Sequence, residues 1–266
     1  MNINSAKLIY FSPTGTTRKV LESIAQGARI SPVEHIDLTP PAAKTLKLAD
    51  MDNELAIIGV PVYGGRLPAD AFYRLRNLRG HGAAAVIVVV YGNRAYEDAL
   101  LELNDLCQVT GFIPVAAGAF IGEHSYSGES TPIAPGRPDV EDLRKAKEFG
   151  KTVCDKIKGM RELQEMPALR VPGNYPYKEL KTLSNISPVT QEVECRKCEL
   201  CASVCPVAAI SVKDTVTTDS GVCLRCCACV KNCPAGARVM EDPRIRQIAD
   251  QLKMNCSARK EPETYV

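Results

Sequence analysis

The strongest constraint on this chain is a cysteine run that occurs twice. The first copy is Cys195-x2-Cys198-x2-Cys201-x3-Cys205-Pro206, and the second is Cys223-x2-Cys226-x2-Cys229-x3-Cys233-Pro234, each cysteine 28 positions after its counterpart. Nine of the twelve cysteines fall between Cys195 and Cys233. A disulfide framework suits a small secreted domain without a core. The first half of this chain reads as well able to build one, so metal ligation is the better reading. Soft thiolates suit iron–sulfur clusters and zinc alike. Zinc sites, however, usually pair two CxxC knuckles or mix Cys with His, and no His follows residue 124. Two four-cysteine runs, each ending in Pro, therefore favour two iron–sulfur clusters, three close thiolates wrapping a loop around each. Cysteines buried only as small hydrophobes would not repeat at this spacing.

Over residues 190–240 this segment resembles the bacterial 2[4Fe–4S] ferredoxins, which implies a small α+β domain with two [4Fe–4S] clusters. The resemblance also implies that the fourth cysteine of each run crosses to the other site. One cluster would take Cys195, Cys198, Cys201 and Cys233, the other Cys223, Cys226, Cys229 and Cys205. Cys227 has Glu199 as its counterpart and is read as a free thiol. Arg196, Lys197 and Arg225 lie in the ligand loops. Positive charge there would favour the reduced clusters, and solvated charges with no tuning role are the equal alternative.

Residues 1–160 alternate strand-like and helix-like segments. Strands are expected at Lys7–Phe11, Val33–Asp37, Glu54–Val60, Ala83–Val90 and Phe112–Ile121. Helices are expected at Thr17–Arg29, Asp70–Leu78, Tyr96–Val109 and Asp139–Ile157. Ala83–Val90 is apolar throughout, as a central parallel strand covered on both faces should be. Five strands alternating with helices make an α/β chain with a five-stranded, doubly wound parallel sheet. Residues 161–189 hold four prolines and read as an ordered or semi-rigid linker. Residues 241–266 read as a helix, Asp242–Asn255, and a tail, with Ile245, Ile248, Leu252 and Met254 available to dock.

Three loops fall at the C-terminal edge of the expected sheet. Ser12-Pro13-Thr14-Gly15-Thr16-Thr17 joins the first strand to the first helix, where backbone N–H groups and the positive helix end can face a phosphate. It lacks the Lys of a P-loop and the three spaced glycines of a dinucleotide site. A hydroxyl-rich loop of this kind suits a phosphomonoester such as that of FMN, the alternative being an ordinary capped helix start. The second loop runs Pro61-Val62-Tyr63-Gly64-Gly65-Arg66, the third Tyr91-Gly92-Asn93-Arg94-Ala95-Tyr96. Each offers an aromatic ring, and glycines where backbone can approach a planar ligand. His124, after the fifth strand, is a candidate proton donor, against the alternative of a loop histidine in a local hydrogen bond.

Residues 1–160 resemble the flavodoxins, which implies FMN, with its phosphate at 12–17 and its ring system between the other two loops. By the same analogy the Tyr63–Gly64 peptide would bond flavin N5, and Tyr96 is a stacking candidate. The sequence has no Trp, a residue that flavodoxins often stack on the flavin. The whole arrangement resembles a family of flavodoxin–ferredoxin fusion proteins. That implies an electron-transfer protein passing electrons between two [4Fe–4S] clusters and FMN, with ferredoxin-like or other redox protein partners. The alternative is an FMN-dependent reductase of a small organic substrate, fed by the clusters. Lys+Arg is 33 against Asp+Glu 31, and no long basic run gives an electrostatic footprint for nucleic acid. No secretory signal and no membrane-length apolar run is present, so a cytoplasmic setting is expected.

Overall fold

In the computed structural model the described residues are 3–48, 51, 53–159, 163, 167–180 and 184–266. Five parallel strands build the centre: β1 (Ser5–Tyr10), β2 (Val33–Asp37), β3 (Glu54–Pro61), β4 (Ala84–Tyr91) and β5 (Ile113–Ile121). Their order across the sheet is 2-1-3-4-5, so the chain reverses its direction of travel between β1 and β3. A doubly wound sheet binds ligands at such a switch point, beyond the C-terminal strand ends. Four helices cover it: α1 (Thr16–Ala28), α2 (Ala69–Arg76), α3 (Ala99–Val109) and α4 (Val140–Lys158).

All eight residues of β4 are buried. Ile87, Val89 and Tyr91 enter one core with Leu75, Leu100 and Leu103 from α2 and α3. Val86, Val88 and Val90 enter the other with Val20, Leu21 and Ile24 of α1 and Phe149 and Val153 of α4. Alternation along one strand thus feeds two helix layers. α1 and α4 cross closely at a pair of glycines. A Cβ on Gly27 would lie 1.8 Å from Lys147 O, and one on Gly150 2.0 Å from Ile24 O. At α4, Asp139 is the N-cap of a capping box with Asp142, which fixes where the chain leaves the loop after β5.

The sheet has a sixth strand, which corrects the expectation of five. After β6 (Val189–Thr190), α5 (Leu200–Ser203), β7 (Ile210–Val212), β8 (Val216–Thr218), α6 (Ala228–Lys231), β9 (Arg238–Val239) and α7 (Pro243–Asn255), the chain returns as β10 (Glu263–Tyr265). β10 pairs antiparallel with β5, Thr264 opposite Gly118. The tail therefore completes the first domain. Ile245 and Leu252 of α7 are buried and Leu252 packs with Ile133, but Met254 is 72% exposed and does not dock.

The expected linker lies partly outside the described residues. Its described stretch is strapped across α3. Lys178 N and Asn174 N donate to Asp98, Tyr177 Oη donates to Asp105 Oδ2, and Arg66 Nη1 donates to Lys178 O. Among the described residues no helix is long and apolar enough to cross a membrane.

Candidate functional site

The cysteine repeat is a repeat of backbone as well as of sequence. Left-handed residues occur in pairs 28 apart: Lys197 (φ 48°) with Arg225 (φ 55°), Glu199 (φ 60°) with Cys227 (φ 57°), and Ala208 (φ 53°) with Gly236 (φ 66°). In each copy the fifth position of the loop, Glu199 or Cys227, precedes a single helical turn, α5 or α6. Its carbonyl accepts from Ala202 N and Ser203 N in the first copy and from Val230 N and Lys231 N in the second. Cys227 thus occupies a turn position rather than the end of a loop. Its thiol is buried and donates to Arg225 O at 3.6 Å.

The fold sorts the other eight cysteines into two groups. One cavity is lined by Cys195, Cys198, Cys201 and Cys233, a second by Cys205, Cys223, Cys226 and Cys229 with Cys227 also on its wall. The fourth cysteine of each run lines the other run's cavity. Amides serve the sulfurs: Ala209 N donates to Cys205 Sγ at 3.2 Å and Arg225 N to Cys223 Sγ at 3.5 Å. Burial pushes the Cys226 thiol up to about 12 and raises Cys201, Cys223 and Cys229 as well. Thiols raised in this way are poor free nucleophiles, while cavities each offering four or more cysteine side chains suit soft metal centres. Among the described residues no three His, Cys, Asp or Glu side chains converge closely enough to hold a single metal ion.

A larger cavity, about 640 Å³, opens at the sheet's C-terminal edge. Its walls include Thr14 and Thr16 from the loop after β1, Tyr63 and Gly64 after β3, Tyr91 and Gly92 after β4, and His124 and Tyr126 after β5. Pro61 and Val62 also line it. Ser12, Pro13, Gly15, Thr17, Gly65, Asn93 and Tyr96 stand off that wall. Ser12 Oγ accepts from Arg18 N and Ser12 N donates to Thr39 Oγ1, which shapes the turn. Thr17 is buried, and its Oγ1 has no hydrogen-bond partner among the described residues. The N-cap of α1 is Gly15, which brings no side chain to cap the helix. An uncapped helix end, two hydroxyls on the wall and one orphaned hydroxyl beneath it fit a bound phosphate.

Tyr96 faces the tail. Its Oη lies 2.7 Å from Glu263 Oε2 and 2.9 Å from Tyr265 Oη, so it is not aimed at the cavity and does not serve as a stacking ring there. Asn93 likewise donates to Cys256 O and Ala258 O. Gly92 does matter, because a Cβ on it would lie 2.3 Å from His124 Cδ2. His124 Nδ1 accepts from Tyr126 N at 3.0 Å, which leaves the ring proton on Nε2. Burial, with the charges of Arg94 and Lys231, pushes His124 down to about 4. The imidazole is therefore neutral near pH 7.

The remaining wall could not be read from the first domain alone. Ser220–Arg225 of the second cysteine loop, with Leu180, Asn185, Ile248 and Leu252, closes the cavity from above. Cys223 lines both this cavity and the second cysteine cavity. Burial pushes the Tyr63 phenol well above its usual value, reinforced by Cys226, Cys227, Tyr126 and Cys223. Side chains of Arg74 and Lys231 are among the links that hold the domains in this arrangement. Arg74, buried on α2, donates to Pro206 O at 2.6 Å. Lys231 donates to Ser127 O at 2.7 Å.

The N-terminal part of the chain is similar to several solved structures. A flavodoxin from the domain Archaea matches at 15% identity over 58% of this chain and 99% of that one, TM-score 0.37. The flavodoxin of Streptococcus pneumonia TIGR4 matches at 18% over 57% and 99%, TM-score 0.39. Rubredoxin oxygen:oxidoreductase from Desulfovibrio gigas matches at 14% over 59% and 37%, TM-score 0.41. No protein-family model matches the chain, and no curated protein matches it.

Proposed function

We propose that this chain is an electron-transfer protein that holds FMN in the large cavity and a [4Fe–4S] cluster in each cysteine cavity, linking one-electron to two-electron redox partners. The observation that carries this reading is Cys223, shared between the flavin-type cavity and the second cysteine cavity. When bound, a flavin supplies capacity for one or two electrons and each cluster capacity for one.

The chain's own residues supply binding, orientation and insulation. Thr14 and Thr16, with the amides opening α1, would hold the phosphate. The Tyr63–Gly64 backbone and Gly92 would approach the ring system, and Leu224 and Arg225 would cover it. Three of the second group, Cys205, Cys226 and Cys229, are buried and Cys223 is half-buried, whereas in the first group Cys198 is exposed and Cys195, Cys201 and Cys233 are half-buried. The first cysteine group thus faces solvent and a partner protein, and the second faces the flavin site. Thiols kept free for metal fit a cytoplasmic setting. In this reading residues 1–160 bind flavin, 161–189 link, 190–240 bind the clusters, and 241–266 close the site and return to the sheet.

An anaerobic titration with a one-electron reductant, followed at flavin and cluster absorbance, tests this. Both sets of bands should respond in one common equilibrium. Clusters that reduce without ever equilibrating with the flavin would sink the proposal. A second reading, reduction of a small organic substrate in the same cavity, is favoured by the polar groups of His124 and Tyr126 on its wall. In that case His124→Gln would slow turnover of a small acceptor while leaving electron exchange with a redox protein intact.

A further inference from the structure

Arg238 is 2% exposed. Its guanidinium donates to Thr190 Oγ1 at 2.6 Å, Thr218 Oγ1 at 2.7 Å and Pro188 O at 3.0 Å, and Nη2 stands 3.7 Å from Cys229 Sγ. Nε has no hydrogen-bond partner among the described residues. None of these partners is a carboxylate. A buried cation with only neutral partners is costly unless an opposite charge stands near it. The groups that could carry that charge are the cysteine sulfurs. Arg238 lines the cavity of Cys195, Cys198, Cys201 and Cys233, while its Nη2 points to Cys229 of the other group.

The internal repeat makes this position an exception. Cys205-Pro-Val-Ala-Ala-Ile210 aligns with Cys233-Pro-Ala-Gly-Ala-Arg238. Ile210, the counterpart, lines the second cysteine cavity as an apolar wall. One half of a near-symmetric pair therefore carries a buried guanidinium where the other carries a hydrocarbon. The loop cations differ in kind. Arg196 is exposed, and Lys197 is exposed with its Nζ on Asp214 O, so solvent screens their fields. Arg238 has no such screening.

We infer that Arg238 is the shared counter-charge of both cysteine-bound clusters, favouring their more negative, reduced forms and raising both reduction potentials together. This rests on the two-cluster reading above. Each cluster gains one electron on reduction. A fixed positive charge and an N–H donor beside the sulfurs stabilise that added charge. The side chain also acts as a brace between β9, β6 and β8, so the test must read something that a brace alone would not change.

That readout is the pair of cluster potentials, from redox titration followed by electron paramagnetic resonance of the full, cluster-loaded chain. Arg238→Gln keeps hydrogen-bond donors and removes the charge; Arg238→Lys keeps the charge. Iron and sulfide content of each protein is measured first. The expected result is that both potentials fall in Arg238→Gln and stay near wild type in Arg238→Lys. Unchanged potentials in a fully loaded Arg238→Gln protein would overturn the inference and leave the two-cluster reading standing. If Arg238→Gln fails to load, the neutral Arg238→Met decides: a fall of both potentials supports the inference, and unchanged potentials overturn it. A wild-type chain without iron–sulfur signals would overturn both.

Discussion

Lys231 Nζ lies 2.5 Å from Glu123 Oε1, joining the cysteine domain to the loop that follows β5. Lys231 closes α6, two residues after Cys229; Glu123 sits next to His124. Burial alone would raise the Glu123 carboxyl, but Lys231 and the Gly136 amide outweigh it and hold the group below its usual range. Its contribution is therefore present above the ordinary carboxylate pKa and lost as pH falls through the folded value. Both side chains are under a third exposed. A double-mutant cycle of Lys231→Met and Glu123→Gln should give a coupling of about 1 kcal/mol. The variants should also speed hydrogen exchange in the Glu123–Ser127 loop.

Arg74 should matter more. Its guanidinium serves Leu38 O, Thr39 O, Pro40 O and Pro206 O, pairs with Asp70, and covers the Phe11 ring. Arg74→Met would strand those buried carbonyls without donors. A loss of about 3 kcal/mol is expected in chemical denaturation. A loss under about 0.5 kcal/mol, the range of neutral surface changes, would contradict the role given to Arg74.

His124 gives the fold a pH dependence with a definite sign. Its folded value near 4 lies below the ordinary imidazole value. The unfolded chain therefore takes up the proton first. Stability from this group is complete above about pH 6.5 and declines as pH falls toward the folded value. The half-buried ring is partly screened, so about 2 kcal/mol is expected between pH 7.5 and 4.5. His124→Gln should flatten that part of the stability profile. An unaltered profile would show that other groups carry it.

Gly92 tests the cavity itself. Alanine there would place a Cβ against His124, 2.3 Å from Cδ2, so the imidazole must shift and the cavity wall formed by both residues changes shape. Gly92→Ala should weaken flavin binding by about tenfold or more, equivalent to roughly 1.4 kcal/mol, in reconstitution of the flavin-free protein. Binding at wild-type strength would mean that the ring system lies elsewhere.

Four of the five central strands were legible as short apolar runs between turn residues, as β4 illustrates, whereas the edge strand β2, Val-Glu-His-Ile-Asp, shows only alternation. β10 was not legible, since Glu-Thr-Tyr has no apolar run to mark it. It exists because β5 leaves an open sheet edge and because Tyr265 and Glu263 meet Tyr96. That same contact turned Tyr96 away from the cavity. The gathering of three cysteines from each run could be anticipated from their close spacing, and the crossing of Cys205 and Cys233 from the resemblance alone. Arg74 and Arg238 could not be recognised as buried, since arginine is mostly exposed and only tertiary partners override that. For Arg238 the sequence did hold one signal, its mismatch with Ile210 in the repeat. The cavity's upper wall was beyond local reading, because it joins Cys223 to loops more than a hundred residues away.

In the proposed function one chain holds a flavin and two clusters, the flavin site and the second cluster site meeting at Cys223. Analysis of iron, sulfide and flavin in the anaerobically purified protein tests it most directly. About eight irons, about eight sulfides and one FMN per chain are expected. Zinc in place of iron, or a full iron content with no flavin bound, would contradict it.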